Sequence, residues 1–156
     1  MLDEPVDTDH RTATRRAPAP PAEVPAPDLL AAARSAIAEG RYADAARIAG
    51  AAAQAAPMLA DAHYLRGLAL VDLGNDAAAL AELRKAVYLA PQDGFAHFLL
   101  AGVLSRLDQA QAGRREYGAA AQTLVATPPG RGTAELGGRS VTELAALCLR
   151  LAQDPA

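Results

Sequence analysis

His63, His97 and Cys148 are the residues best suited to chemistry in this 156-residue chain. Imidazole and thiolate are common zinc ligands, and both serve in acid–base or nucleophilic catalysis. The spacing argues against each use. His63 and His97 lie 34 residues apart in matching surroundings, Ala-His-Tyr-Leu and Ala-His-Phe-Leu. Repetition at that interval places them at equivalent points on neighbouring helices, about 10 Å apart at helix-packing distance. One metal ion cannot span that gap, so both rings are expected to be packing residues. His10 lies ahead of a proline-rich stretch and has no fixed partner. Cys148 sits at helical spacing from Leu144 and Leu151, with no base or cation nearby that would activate it; it is expected to be a small buried hydrophobe. No Ser/His/Asp arrangement, paired carboxylates on one element or phosphate loop occurs. The expectation is a chain with no catalytic site, no metal and no cofactor.

Composition narrows the class of protein. Hydrophobic residues make up 51% of the chain and aromatics only 4%, with no Trp. Most of the apolar residues are Ala and Leu, which favour closely packed helices over sheets rich in β-branched and aromatic side chains. A net charge of −3 offers no basic field for nucleic acid or an anionic membrane. No apolar run is long enough to span a bilayer, and the charged start MLDEPVDTDHRTATRR is not a secretory signal. One cysteine excludes a disulfide framework, and a reducing cytoplasm is the expected location.

The positions that fix the chemistry are held in a repeated frame. Gly40 and Gly74, Pro57 and Pro91, Ala62 and Ala96, and Leu65 and Leu99 are each 34 residues apart. Within Ala60–Pro91 the pattern Gly67, Leu70, Ala79, Leu83, Ala86, Pro91 reads as one helix–turn–helix unit. This period is that of the tetratricopeptide (TPR) repeat. The predicted fold is all-α: a three-repeat TPR solenoid of antiparallel helix pairs with a C-terminal capping helix and a disordered N-terminal tail.

In order, residues 1–27 hold six of the 11 prolines and read as a disordered linker, either a tether or a dispensable tail. Three units follow over 28–126, at about 28–59, 60–93 and 94–126. Asp28 is the expected cap of the first helix. Asp108 takes the turn position held by Gly40 and Gly74. Gly113 stands where the pattern calls for Ala, an expected penalty of about 1 kcal/mol. Residues 127–139 form a turn-rich loop. Ser140 and Glu143 fit a capping box, and a helix over 140–153 is expected to cover the last apolar edge of the stack.

Residues 85–124 carry a second resemblance. Tyr88, the run Phe95-Ala96-His97-Phe98 and the pair Arg114-Arg115 resemble the TPR region at the C-terminus of some chemotaxis receptor methyltransferases (the CheR type). There too a loop and a closing helix follow the third repeat. The resemblance implies the regulatory or targeting module of a receptor glutamate O-methyltransferase. Its partners would be a chemoreceptor, a signalling protein or its own catalytic domain. The chain has no room for that catalytic domain, and no Gly-rich loop follows a strand to bind S-adenosylmethionine. The alternative is a free-standing TPR adaptor or scaffold of an unrelated assembly.

In either reading the function is protein–protein interaction through the concave face built by the first helix of each pair. The expected contacts are Arg34 in the first unit, Asp61, Tyr64, Leu65 and Leu68 in the second, and Phe95, Phe98, Leu99 and Arg106 in the third. Some TPR co-chaperones hold a peptide carboxylate with Lys, Asn and Arg on this face. The equivalent positions here are Leu30, Ala31, Leu65, Phe95 and Leu99, so that clamp is absent. An apolar strip with Tyr64 and Phe98 as anchors suits an apolar or amphipathic segment of a partner; the alternative, which uses the same stripe, is packing against the neighbouring repeat or the closing helix. Arg66 is expected either to snorkel or to stand as a cation beside the groove.

Overall fold

A computed structural model describes residues 23–127 and 138–154. These hold seven α-helices: α1 (Ala26–Ala38), α2 (Tyr42–Ala55), α3 (Ala60–Asp72), α4 (Asp76–Leu89), α5 (Gly94–Arg106), α6 (Ala110–Leu124) and α7 (Val141–Gln153). The first six pair antiparallel as α1/α2, α3/α4 and α5/α6, in a TPR-like arrangement. Each pair packs on the next through α2–α3 and α4–α5, and α7 closes on α6. The first helices α1, α3 and α5 also touch along one face. No helix among the described residues is long and apolar enough to cross a membrane.

Small side chains set the spacing. Ala33, Ala36, Ala45 and Ala49 are buried in the first pair, and larger Leu65, Leu83, Phe95 and Leu124 fill the later ones. Burying each of the larger side chains stabilises the fold by about 1.5–3 kcal/mol. At Gly67 an added Cβ would lie 2.7 Å from Leu83, so α3 and α4 cross at this bare backbone. The turns between paired helices need a left-handed residue, supplied by Gly74 at φ +73° and by Asp108 at φ 58°. Aspartate is among the few residues other than glycine that tolerate that region.

Two details depart from the sequence expectation. Helix α1 begins at Ala26 with Pro25 as its cap residue, and Asp28 makes no capping hydrogen bond. Pro27 is accommodated because a first-turn N–H has no intrahelical acceptor to lose. Gly113 is a fitted residue rather than a weak one: a Cβ there would meet Ser105 Oγ at 2.6 Å and the Ala101 carbonyl at 3.1 Å. Helix α7 turns Leu144 and Cys148 inward, leaving Leu147 and Leu151 half-buried. The capping box is present, with Ser140 N donating to Glu143 Oε2 at 2.9 Å and Glu143 N to Ser140 Oγ at 3.2 Å. The expected disorder of the tail over 1–22 and the expected loop over 128–137 lie outside the described residues.

Candidate partner-binding site

The first helices α1, α3 and α5 share one face, and most of the apolar residues expected on it are part of the hydrophobic core. Tyr64, Leu65 and Leu68 of α3 and Phe95 and Leu99 of α5 are each no more than 8% exposed. Of the two readings of the strip, burial of these five residues fits packing within the repeats, while Phe98 stays half-buried. These five side chains belong to the hydrophobic core, together with residues of the second helices.

The third unit departs from the second at one inner-face position. Gly102 occupies the position that Leu68 holds one unit earlier. A Cβ at Gly102 would lie 3.6 Å from Arg106 Nη1 and 3.7 Å from the Tyr117 hydroxyl. Half-buried Phe98 lies one turn back along α5, its ring centroid 6.1 Å from that of Tyr117 on α6 at a tilt of 55°. Phe98, Gly102, Arg106 and Tyr117 thus make a notch with an aromatic wall and a cationic lip. Burial pushes the Tyr117 hydroxyl above its ordinary pKa, against a hydrogen bond with Ser105, so it stays protonated. Beside the notch, a cleft of about 250 Å³ runs between Ser105, Arg114 and Tyr117 on one side and Leu151 and Asp154 of α7 on the other. Tyr117, Gly102 and Arg114 were not among the residues expected from sequence. Comparing position 102 with position 68 in the repeat frame was the available signal.

The charged residues expected at the groove are paired. Arg34 Nη2 meets Asp61 Oδ2 at 3.0 Å and ties α1 to α3. Arg106 grips Asp76 with two hydrogen bonds, 2.9 Å from Nε and 2.7 Å from Nη2, and ties α5 to the start of α4. That double contact holds the Asp76 carboxyl below the usual range. Two-point Arg–carboxylate pairing is the geometry in which an exposed ion pair contributes.

The histidines form a structural element of their own. His63 Nδ1 lies 2.7 Å from Glu82 Oε2 and its Nε2 2.8 Å from the Pro57 carbonyl. His97 repeats this with Glu116 at 2.6 Å and the Pro91 carbonyl at 2.9 Å. Each ring joins a first helix, the second helix of its pair and the preceding turn. Glu82 and Glu116, 34 residues apart like the other partners, escaped the sequence reading. Both ring nitrogens are occupied in each case, and no group of three metal-ligating side chains occurs among the described residues. The Glu116 hydrogen bond raises the His97 pKa, opposed by burial and aided by the Pro91 carbonyl and the charges of Glu116 and Asp93. Burial pushes the Glu82 carboxyl up, but the His63 hydrogen bond and the charges of Lys85, Arg66 and His63 together take it below its ordinary value.

Arg66 belongs to this cluster and not to the groove. Its guanidinium reaches Glu82 on α4 at 3.3 Å and lies over Gly50 of α2. Cys148 is fully buried, and loss of water pushes its thiol up to about 11. It is not a nucleophile at neutral pH.

No protein-family model and no curated protein matches the sequence. Solved structures do match in fold. The type III secretion translocator chaperone SycD of Yersinia enterocolitica aligns over 80% of this chain and 81% of its own, with TM-score 0.64 and 14% identity. PcrH of Pseudomonas aeruginosa aligns over 83% and 92%, with TM-score 0.68 and 16% identity. The TPR2B domain of yeast Sti1, solved as a complex with pHsp70, aligns over 78% and 96%, with TM-score 0.63 and 17% identity. PcrH has also been solved with the chaperone binding region of PopD, and SycD with a peptide of the translocator YopD. At these identities the likeness carries the TPR-like fold. The narrower resemblance to chemotaxis methyltransferases draws no support from these structures.

Proposed function

We propose that the chain is a TPR-type interaction module that holds an apolar segment of a partner protein on its inner face. The notch at Phe98, Gly102 and Tyr117 would receive the anchoring side chain. The observation that carries this reading is that Gly102, the counterpart of Leu68, leaves bare backbone beneath Arg106 and Tyr117. Tyr64, Leu65, Leu68, Phe95 and Leu99 are buried, whereas here a glycine replaces a leucine between an aromatic pair and an arginine. Aromatic and arginine side chains dominate the energetics of such contacts.

The structural neighbours favour an adaptor or chaperone of peptide segments over the regulatory domain of a receptor methyltransferase. PcrH and SycD, as well as Sti1, have been solved with segments of partner proteins. The net charge of −3 fits a protein partner better than nucleic acid. The buried, protonated Cys148 thiol fits a reducing compartment, with the cytoplasm as the proposed site of action.

The test uses peptides selected against the full chain by display and then measured by calorimetry. Gly102→Leu refills the notch with the side chain that the second unit carries, and Leu is a strong helix former. Gly102→Leu and Phe98→Ser are each expected to weaken binding at least tenfold, about 1.4 kcal/mol or more, with helical circular dichroism retained. Selected peptides that bind both variants as tightly as the parent would overturn the reading.

A further inference from the structure

Tyr88 and Met58 are large apolar side chains that the fold leaves in water, 83% and 77% exposed. Both line a cleft of about 450 Å³, between the α2–α3 turn at Pro57 and the last turns of α4 at Leu89. Arg84 and Lys85 line the same cleft. This edge shares no residue with the Phe98–Tyr117 notch.

The repeat frame shows that the TPR-like framework does not require these side chains. Across the three units, Tyr88 corresponds to Gln54 and Gln122, and Met58 to Val24 and Gln92. Arg84 corresponds to Gly50 and Gly118, and Lys85 to Ala51 and Ala119. The framework residues around them are retained, with Pro57 matched by Pro91 and His63 by His97. An exposed tyrosine and methionine beside an arginine have the composition of an interface centre. A soluble surface normally scatters such residues singly.

The charge of the edge says what would bind. Arg66 and Lys85 both reach the single carboxylate of Glu82, at 3.3 and 3.4 Å, and that carboxylate also holds His63. Arg84 is exposed and has no carboxylate within salt-bridge distance among the described residues. The rim therefore carries more cationic groups than carboxylates, on a protein whose net charge is −3. We propose that this cleft is a second docking site, for an apolar segment of a partner protein that carries carboxylates beside its apolar residues. The apolar side chains would enter beside Met58 and Tyr88, and a carboxylate would meet the Arg84 guanidinium, whose planar fork donates to it at two points.

The probes are fluorescein-labelled amphipathic peptides with Leu and Phe on one face and Glu on the other, and their counterparts with Lys in place of Glu. Binding to the full chain is followed by anisotropy at low and high salt, and by the Met58 methyl resonance. The Glu peptides are expected to bind, to shift that methyl, and to weaken as salt rises. Tyr88→Gln installs the residue found in the other two units, and with Arg84→Ala it is expected to lower affinity by about tenfold or more. Gly102→Leu is expected to leave this binding intact. No binding by the Glu peptides, equal binding by the Lys peptides, or indifference to Tyr88→Gln and Arg84→Ala would each overturn the proposal. So would loss of binding in Gly102→Leu, which would place the peptide on the inner face.

Discussion

The His97 ring, on α5, faces Glu116 of α6 through one nitrogen and the Pro91 carbonyl through the other. A carboxylate and a carbonyl can only accept, so the ring that satisfies both is the imidazolium. The folded state thus holds the His97 pKa above its ordinary 6.5. The sign follows from linkage: the stabilisation is complete below about pH 6.5 and is lost as pH rises through the raised folded value. Glu82 works in the other direction. Its lowered pKa gives stability that is present above the ordinary carboxylate range and is lost as pH falls through the folded value. Thermal melts between about pH 6 and about pH 7.5 stay below the range in which the Cys148 thiol of the unfolded chain ionises, and the melting temperature is expected to drop across that window. His97→Gln should cost about 1–3 kcal/mol at the acid end and flatten the profile. A His97→Gln protein with the parent's slope would mean that another group carries the dependence.

At the scale of helices, most of the architecture was legible because the 34-residue frame repeats its punctuation. Gly74, Pro57 and Pro91 mark where helices turn and stop, and Ser140 with Glu143 marks where the last one starts. What stayed hidden were partners set across a helix pair. Glu82 and Glu116 lie 19 residues beyond their histidines, a separation that no single-helix periodicity reveals. Gly113 was misread for the same reason. Judged along its own helix it is a poor residue, but judged against α5 it is the only side chain that fits. Gly113→Ala is therefore expected to destabilise the α5/α6 pair by about 1–3 kcal/mol through overpacking, where helix propensity alone would have Ala gain about 1 kcal/mol. Ser105→Ala removes the Oγ at 2.6 Å and should recover part of the loss, the Ala101 carbonyl remaining close. Denaturant titration of both variants decides it. A stabilised Gly113→Ala would show that the helices separate freely.

Across the whole molecule, stability runs along a stack in which each pair leans on its neighbours. The same contacts explain why the candidate site was only partly legible. Periodicity identifies Tyr64, Leu65, Leu68, Phe95 and Leu99 as inner-face residues, but cannot tell a side chain that fills a seam from one that waits for a partner. Packing within the core buries these five, and the departure falls at Gly102, where the leucine side chain of the second unit is missing. The free end of such a stack needs a cover, and α7 supplies it: Leu144 and Cys148 are buried where it packs on α6, near Ala120 and Leu124 in the same core. Leu144, 2% exposed, is expected to cost about 2–5 kcal/mol when cut to Ala. Deleting 140–156 goes further, because it uncovers the α6 face and removes Leu151 and Asp154 from the cleft beside Tyr117. The truncated chain is expected to melt at a lower temperature, to self-associate in sedimentation, and to lose affinity for peptides held at the Phe98 notch. A truncated monomer with the parent's melting temperature would mean that α7 is not the cap. A destabilised one that still binds such peptides with full affinity would confine the site to α5 and α6.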